Sequence, residues 1–430
     1  MLFDTVRMQA WRRGYTQLHR HDEAKLDLFD TFETEIVQRF QLYRVPTIEL
    51  KRDTPKDTVC QVFEKVNMGG VELTVFELVT ASYAADEFQL RKDWDERSAR
   101  IVAHEVLTEV SSTEFLQAAT LLASYKASRA SRSAVGCKRK DVLRLELADY
   151  RSNAAAVEGG FVAAAKLLVR EKVFDAANLP YQGQLVPLAA ICAFLGDRFE
   201  EDAVKQKLAR WYWCGVFGEM YGGASESRFA FDIVEVLAWI DGGDDPRTVK
   251  EAAFVPNRLL TLQTRLSAAY KGLMAKLLQV GSLDFRTADP IELVNFFDEA
   301  VNIHHLFPRA YCEKKQYNRE RWNSVINKAP LTAKTNRIVA GHAPSMYLAS
   351  LEKNHDQPTA RLNEILLSHL VDPALMRADD FDAFIRKRAT SLLDLIEKAM
   401  GKTVSGRDSP EVIEAFGQPL LTATKSSAAA

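Results

Sequence analysis

Apolar positions along most of the chain recur at the i, i+3, i+4 spacing of helices. KLDLFDTFETEIVQRF (25–40) shows it first, and STEFLQAATLLASYKA, AAVEGGFVAAAKLLVREKVF, QLVPLAAICAFLGDRF and VKQKLARWYWCGVFGEMY continue it through the middle. LNEILLSHLV and FDAFIRKRATSLLDLIEKAM repeat it near the C-terminus. Residues 54–88 read as helix, turn at Gly69–Gly70, helix, with Thr74 and Glu77 spaced as a capping box. LYRVPTIEL (42–50) reads as a short extended segment. The polar, basic stretch 128–141 reads as an exposed loop, its five cations either a solvated surface or phosphate contacts. The aromatic-rich stretch 211–232 reads as core followed by a turn, with Arg228 and Asp232 spaced to pair.

One region departs from the helical pattern. EAVNIHHLFPRAY (299–311) is rich in β-compatible residues and is interrupted by Pro308. A polar, basic stretch follows, then the short strand pattern SVINKAPL, then TAKTNRIVAGHAPS, a helix pattern with Thr332 as N-cap and Gly341 as its stop. The expected order is strand, long loop, strand, helix. The expected fold is therefore mainly α with a small α+β part. Expected divisions are 1–95, a helical middle over 96–290, a C-terminal part with its helices over 291–400, and a frayed tail over 401–430.

Charge and composition narrow the function. No apolar run is long enough to span a membrane, and the five cysteines are scattered without CxxC, as in a reducing cytoplasm. Net charge is −2, yet residues 309–337 carry a net +6, the local footprint that a phosphate backbone selects. Within that stretch Asn327 and Asn336 are nine residues apart, a spacing that lets the helix fold back across the strands and bring Asn336 to face His304 and His305. A His/Asn cluster suits phosphodiester hydrolysis. An imidazole can take the proton of attacking water, and a divalent metal on neutral N and O ligands can neutralise the charge that develops.

The residues His304, His305, Leu306, Pro308, Asn327 and Asn336 resemble the ββα-metal motif of HNH endonucleases. That resemblance implies His305 as general base, Asn327 as the residue that orients it, and His304 and Asn336 as ligands of a divalent metal, Mg²⁺ or Mn²⁺. Lys334 and Arg337 on the same helix, with Arg309 and Lys328, are the expected DNA phosphate contacts. His304 stands where the motif more often has Asp. The similarity extends to QVFEKVNMGGVELTVFEL, which resembles the FE-x-hydrophobic-N-x-GG-x-x-L segment of GmrSD-like restriction endonucleases. That family implies a ParB/sulfiredoxin-like N-terminal domain, a helical middle and a C-terminal HNH nuclease that cuts foreign, often modified, DNA. The family's Asp-Gly-Gln-Gln-Arg nucleotide motif does not occur in this chain. The expectation is thus a shortened relative in which 1–95 is a domain remnant, with nucleotide hydrolysis not carried over. Two other readings stay open: an inactive relative that binds DNA or a partner protein, and a helical scaffold whose His pair is structural.

Overall fold

A computed structural model describes the chain except residues 1–3, 45, 46, 48, 50–53, 55–57, 59–61, 63–72, 132, 224, 286, 292–301, 333–338, 340, 355–357 and 423–430. The chain is mainly helical, with one two-stranded antiparallel sheet among the described residues. It divides into two compact units, Met1–Val59 and Cys60–Ala430.

The first unit is a helical hairpin. Helix α1 (Thr5–Leu18) starts at Asp4, whose side chain accepts from the Arg7 amide. Helix α2 (Glu23–Phe32) starts on the Asp22 side chain and runs on through a π-helical stretch (Glu33–Val37) to Leu42. Met8, Phe29 and Val37 form the small core, and Arg12 ties the helices together through Asp30 and Glu33. Val6, Leu18, Leu28, Phe40 and Leu42 remain exposed, because two helices have too little surface to cover all their apolar residues.

In the second unit the capping box forms as its spacing predicts: Thr74 accepts from the Glu77 amide, Glu77 accepts from the Thr74 amide, and α3 (Val75–Ala84) follows. Next come α4 (Leu90–Ile101), α5 (Ser112–Ser131) and α6 (Leu147–Arg170). The chain continues through α7 (Leu185–Leu195), α8 (Asp202–Phe217), α9 (Glu226–Ile240) and α10 (Ala268–Val280). Helix α7 is apolar on all sides and packs between α5, α6 and α9. Its close approach to α6 needs Gly160, where a Cβ would lie 2.2 Å from the Ala189 carbonyl oxygen. The hairpin strands are β1 (Asn302–His305) and β2 (Lys328–Leu331), and α11 (Arg309–Lys314) and α12 (Arg319–Trp322) fill the connection between them. The chain ends with α13 (Pro344–Asn354), α14 (Thr359–Ser368), α15 (Phe381–Met400) and α16 (Pro410–Phe416).

Buried side chains of this unit form one continuous core from Val75 to Leu420. The expected divisions near 95, 290 and 400 fall inside it. Three local expectations are corrected. Helix α5 runs on to Ser131, and Cys137 is fully buried, so the exposed loop is shorter than 128–141. Asp232 does not pair with Arg228: its carboxylate is buried and accepts from Trp211 Nε1 (3.0 Å), Tyr221 Oη (2.5 Å) and Thr248 Oγ1 (2.6 Å). Those three donors satisfy a carboxyl group whose pKa burial raises. The expected tail packs through 422: Val404, Val412, Phe416 and Leu420 are buried, and Arg407 binds Asp394 and Glu397 on α15. The Gly69–Gly70 turn and residues 45, 46, 48 and 50 of the 42–50 segment lie outside the described residues.

Candidate functional site

The histidine pair ends β1. In the antiparallel register His304 faces Ala329 and His305 faces Lys328. The chain then turns through Leu306 and Phe307, both buried, and Pro308 opens α11 with the φ that a helix entry needs. Phe307 packs against Phe381 and Phe384, so the turn is anchored to α15.

Asn327 closes this turn and is fully buried. Its Oδ1 accepts from the Phe307 amide at 2.8 Å, and its Nδ2 donates to the carbonyls of Phe307 and Trp322, both at 2.8 Å. Its own carbonyl accepts from the Leu306 amide at 2.8 Å. Tyr347 of α13 donates to the Leu306 carbonyl at 2.9 Å, and Arg388 of α15 donates to the Ile326 carbonyl. Asn327 therefore acts on the backbone that follows His305, whereas the sequence reading had it orient the ring.

The ring is held by a residue that sequence reasoning missed. His305 Nε2 lies 3.2 Å from Asn323 Oδ1. An amide oxygen only accepts, so Nε2 carries the proton and Nδ1 keeps the lone pair. Trp322 packs edge-on to the same ring, with centroids 5.7 Å apart. Burial, helped by the Lys328 charge, lowers the His305 pKa to about 4, so the ring is neutral at neutral pH.

His304 is half-buried, and burial lowers its pKa as well. Its Nε2 is buried and has no hydrogen-bond partner among the described residues. A neutral imidazole with an unspent buried nitrogen has the electronic state of a metal ligand. Among the described residues no group of three or more His, Cys, Asp or Glu could hold a metal ion. Asn336, the other expected ligand, lies outside the described residues, as do Lys334, Arg337 and most of the expected helix over 332–341.

Of the expected phosphate contacts, Arg309 is exposed and pairs with Glu313 one helical turn on, at 2.7 Å. Lys314, Lys315 and Arg319 are exposed on the same connection. Lys328 is placed differently. It is buried, donates to the Gln263 carbonyl at 2.5 Å, and lies over the Tyr270 ring. Burial pushes its pKa down to about 8. It faces inward behind His305, where its charge acts on the imidazole. Of the other histidines, His369 is fully buried and donates from Nε2 to the Leu283 carbonyl at 2.8 Å. His355 lies outside the described residues.

These features describe a helical protein with a histidine-bearing β-hairpin locked into its core. No protein-family model matches the sequence. An uncharacterised protein of Methanocaldococcus jannaschii is 26% identical over 400 residues, a match covering 82% of this chain and 64% of the relative. The chain thus spans just under two thirds of that relative's length. No described helix is long and apolar enough to cross a membrane.

Proposed function

We propose that this chain is a metal-dependent HNH-type endonuclease that hydrolyses DNA phosphodiester bonds, of the GmrSD-like restriction class its sequence resembles. The observation that carries the reading is the state of the adjacent histidines. His305 is neutral, with Nε2–H committed to Asn323 and Nδ1 left to accept a proton, and His304 keeps a buried, unpartnered nitrogen.

In the proposed reaction His305 Nδ1 takes a proton from water as the water oxygen bonds to phosphorus. The bond from phosphorus to the 3′ oxygen then breaks, its electron pair leaving with that oxygen, which takes a proton from solvent water while His305 gives up its own to solvent. Asn323 and Trp322 keep the imidazole in position, and Asn327 keeps the backbone that carries it in register. His304 and Asn336 would hold Mg²⁺ or Mn²⁺, which supplies charge neutralisation at the phosphate when bound. Arg309, Lys314, Lys315 and Arg319 give the connection between the strands an exposed cationic face for a phosphate backbone. Lys328 has no part in that face, because its ammonium is already spent inside.

The test is conversion of supercoiled plasmid, unmodified and carrying modified cytosines, with Mg²⁺, Mn²⁺ or EDTA. Nicked or linear product is expected with metal and none with EDTA. A folded protein that cuts neither DNA with either metal overturns the proposal.

A further inference from the structure

The base side of the hairpin is stapled to the helical body by two residues far away in sequence. Leu262 and Gln263 form a strap between the short helix Arg258–Thr261 and α10. The Leu262 carbonyl accepts from the Val325 amide at 2.8 Å, and the Gln263 carbonyl accepts from Lys328 Nζ at 2.5 Å. With the strap fixed at both carbonyls, the Gln263 side chain meets Asn323: its Oε1 accepts from Asn323 Nδ2 at 3.4 Å. The opposite end of the same amide, Oδ1, faces His305 Nε2.

The order of these contacts matters chemically. An Asn side chain has a donor end and an acceptor end, and rotating it by half a turn exchanges them. With Gln263 Oε1 facing Asn323, Nδ2 lies toward the strap and Oδ1 toward the ring. Oδ1 in turn demands a proton on Nε2 and leaves Nδ1 as the lone pair. Were the amide reversed, Nδ2 would face Nε2, and the proton would move to Nδ1.

We propose that Gln263 is a positioning residue: acting through Asn323, it sets the tautomer of the His305 ring. Its value for catalysis rests on the reading of His305 as general base, but the tautomer itself does not. The helical body thereby supplies part of the site, and residues 302–331 do not carry that setting alone.

The test compares Gln263→Met, which keeps length and removes the acceptor, with Gln263→Glu, which offers only acceptors. Gln263 is half-buried, so both substitutions are compatible with the fold. The full chain, ¹⁵N-labelled at histidine, is observed at fixed pH 7.5 by long-range ¹H–¹⁵N correlation, with His305 assigned from a His305→Gln sample. The wild type and the Glu variant are expected to show the Nε2–H form, and the Met variant a mixture of both tautomers. On DNA, the Met variant is expected to lose about 10-fold in kcat with KM within about twofold, and the Glu variant to recover most of it. An unchanged tautomer in the Met variant overturns the inference, as does identical behaviour of the two variants. If the tautomer follows residue 263 while the wild type cuts no DNA, the positioning inference stands and the nuclease reading falls.

Discussion

Imidazoles matter most among single residues, because this fold holds three of them neutral, His304 and His305 half-buried and His369 fully buried. His369 is the clearest. It is fully buried, its Nε2–H is spent on Leu283, its Nδ1 has no partner among the described residues, and Arg388 lies close by. Burial lowers its pKa to about 4. The denatured chain, titrating near 6.5, therefore binds a proton before the native one does. The stability that His369 contributes is complete above pH 6.5 and is lost as pH falls toward 4. Between pH 7 and pH 5 this one group should remove about 2 kcal/mol. Urea unfolding of the wild type and His369→Gln at both pH values checks it: the variant should lose correspondingly less, and parallel losses would contradict the assignment. The sequence marked His304, His305 and Asn327 because their types and spacing form a pattern. It did not mark Asn323 or Gln263. Asn323 is one polar residue among many in a basic stretch, and Gln263 comes close only through tertiary packing.

At the scale of elements, the hairpin shows what spacing can and cannot reveal. Both strands form where β-compatible residues flank the polar stretch. The expected long loop is instead α11, α12 and a 3₁₀ turn over Val325–Asn327. Composition hid this, since the basic surface residues outnumber the few side chains that anchor the segment, chiefly Cys312 and Trp322, both buried. Asn318 caps α12 by accepting from the Glu320 amide, a short-range signal inside a stretch read as irregular. Asn327 ties these pieces to β1. Asn327→Ala would leave the Phe307 amide and the Trp322 carbonyl without that partner in a buried turn. The expected cost is about 2–4 kcal/mol, measured by urea unfolding at pH 7.5. A cost below about 1 kcal/mol would show that the turn does not depend on this side chain.

For the whole molecule, helical periodicity was sufficient to give the architectural class, because amphipathic faces must be buried somewhere. It could not give the partition. The hairpin packs on α10 and α15, and Arg388 of α15 reaches the 3₁₀ turn beneath Asn327, so the candidate site and the helical body share one interior. Contacts between segments far apart in sequence leave no mark in local pattern. For the same reason Arg407 and Leu420, in a stretch whose composition resembles a tail, are buried, with Arg407 bound to Asp394 of α15. The site is thus built from residues between 262 and 388.

The central claim is that His305 accepts the proton of the attacking water. The most direct measurement is single-turnover cleavage of DNA with Mn²⁺ at pH 7.5 by the wild type and by His305→Ala, purified side by side and matched by thermal unfolding. The variant is expected to stay folded and to lose about 10²–10⁴-fold in rate. A folded His305→Ala protein that cuts DNA at the wild-type rate would contradict it.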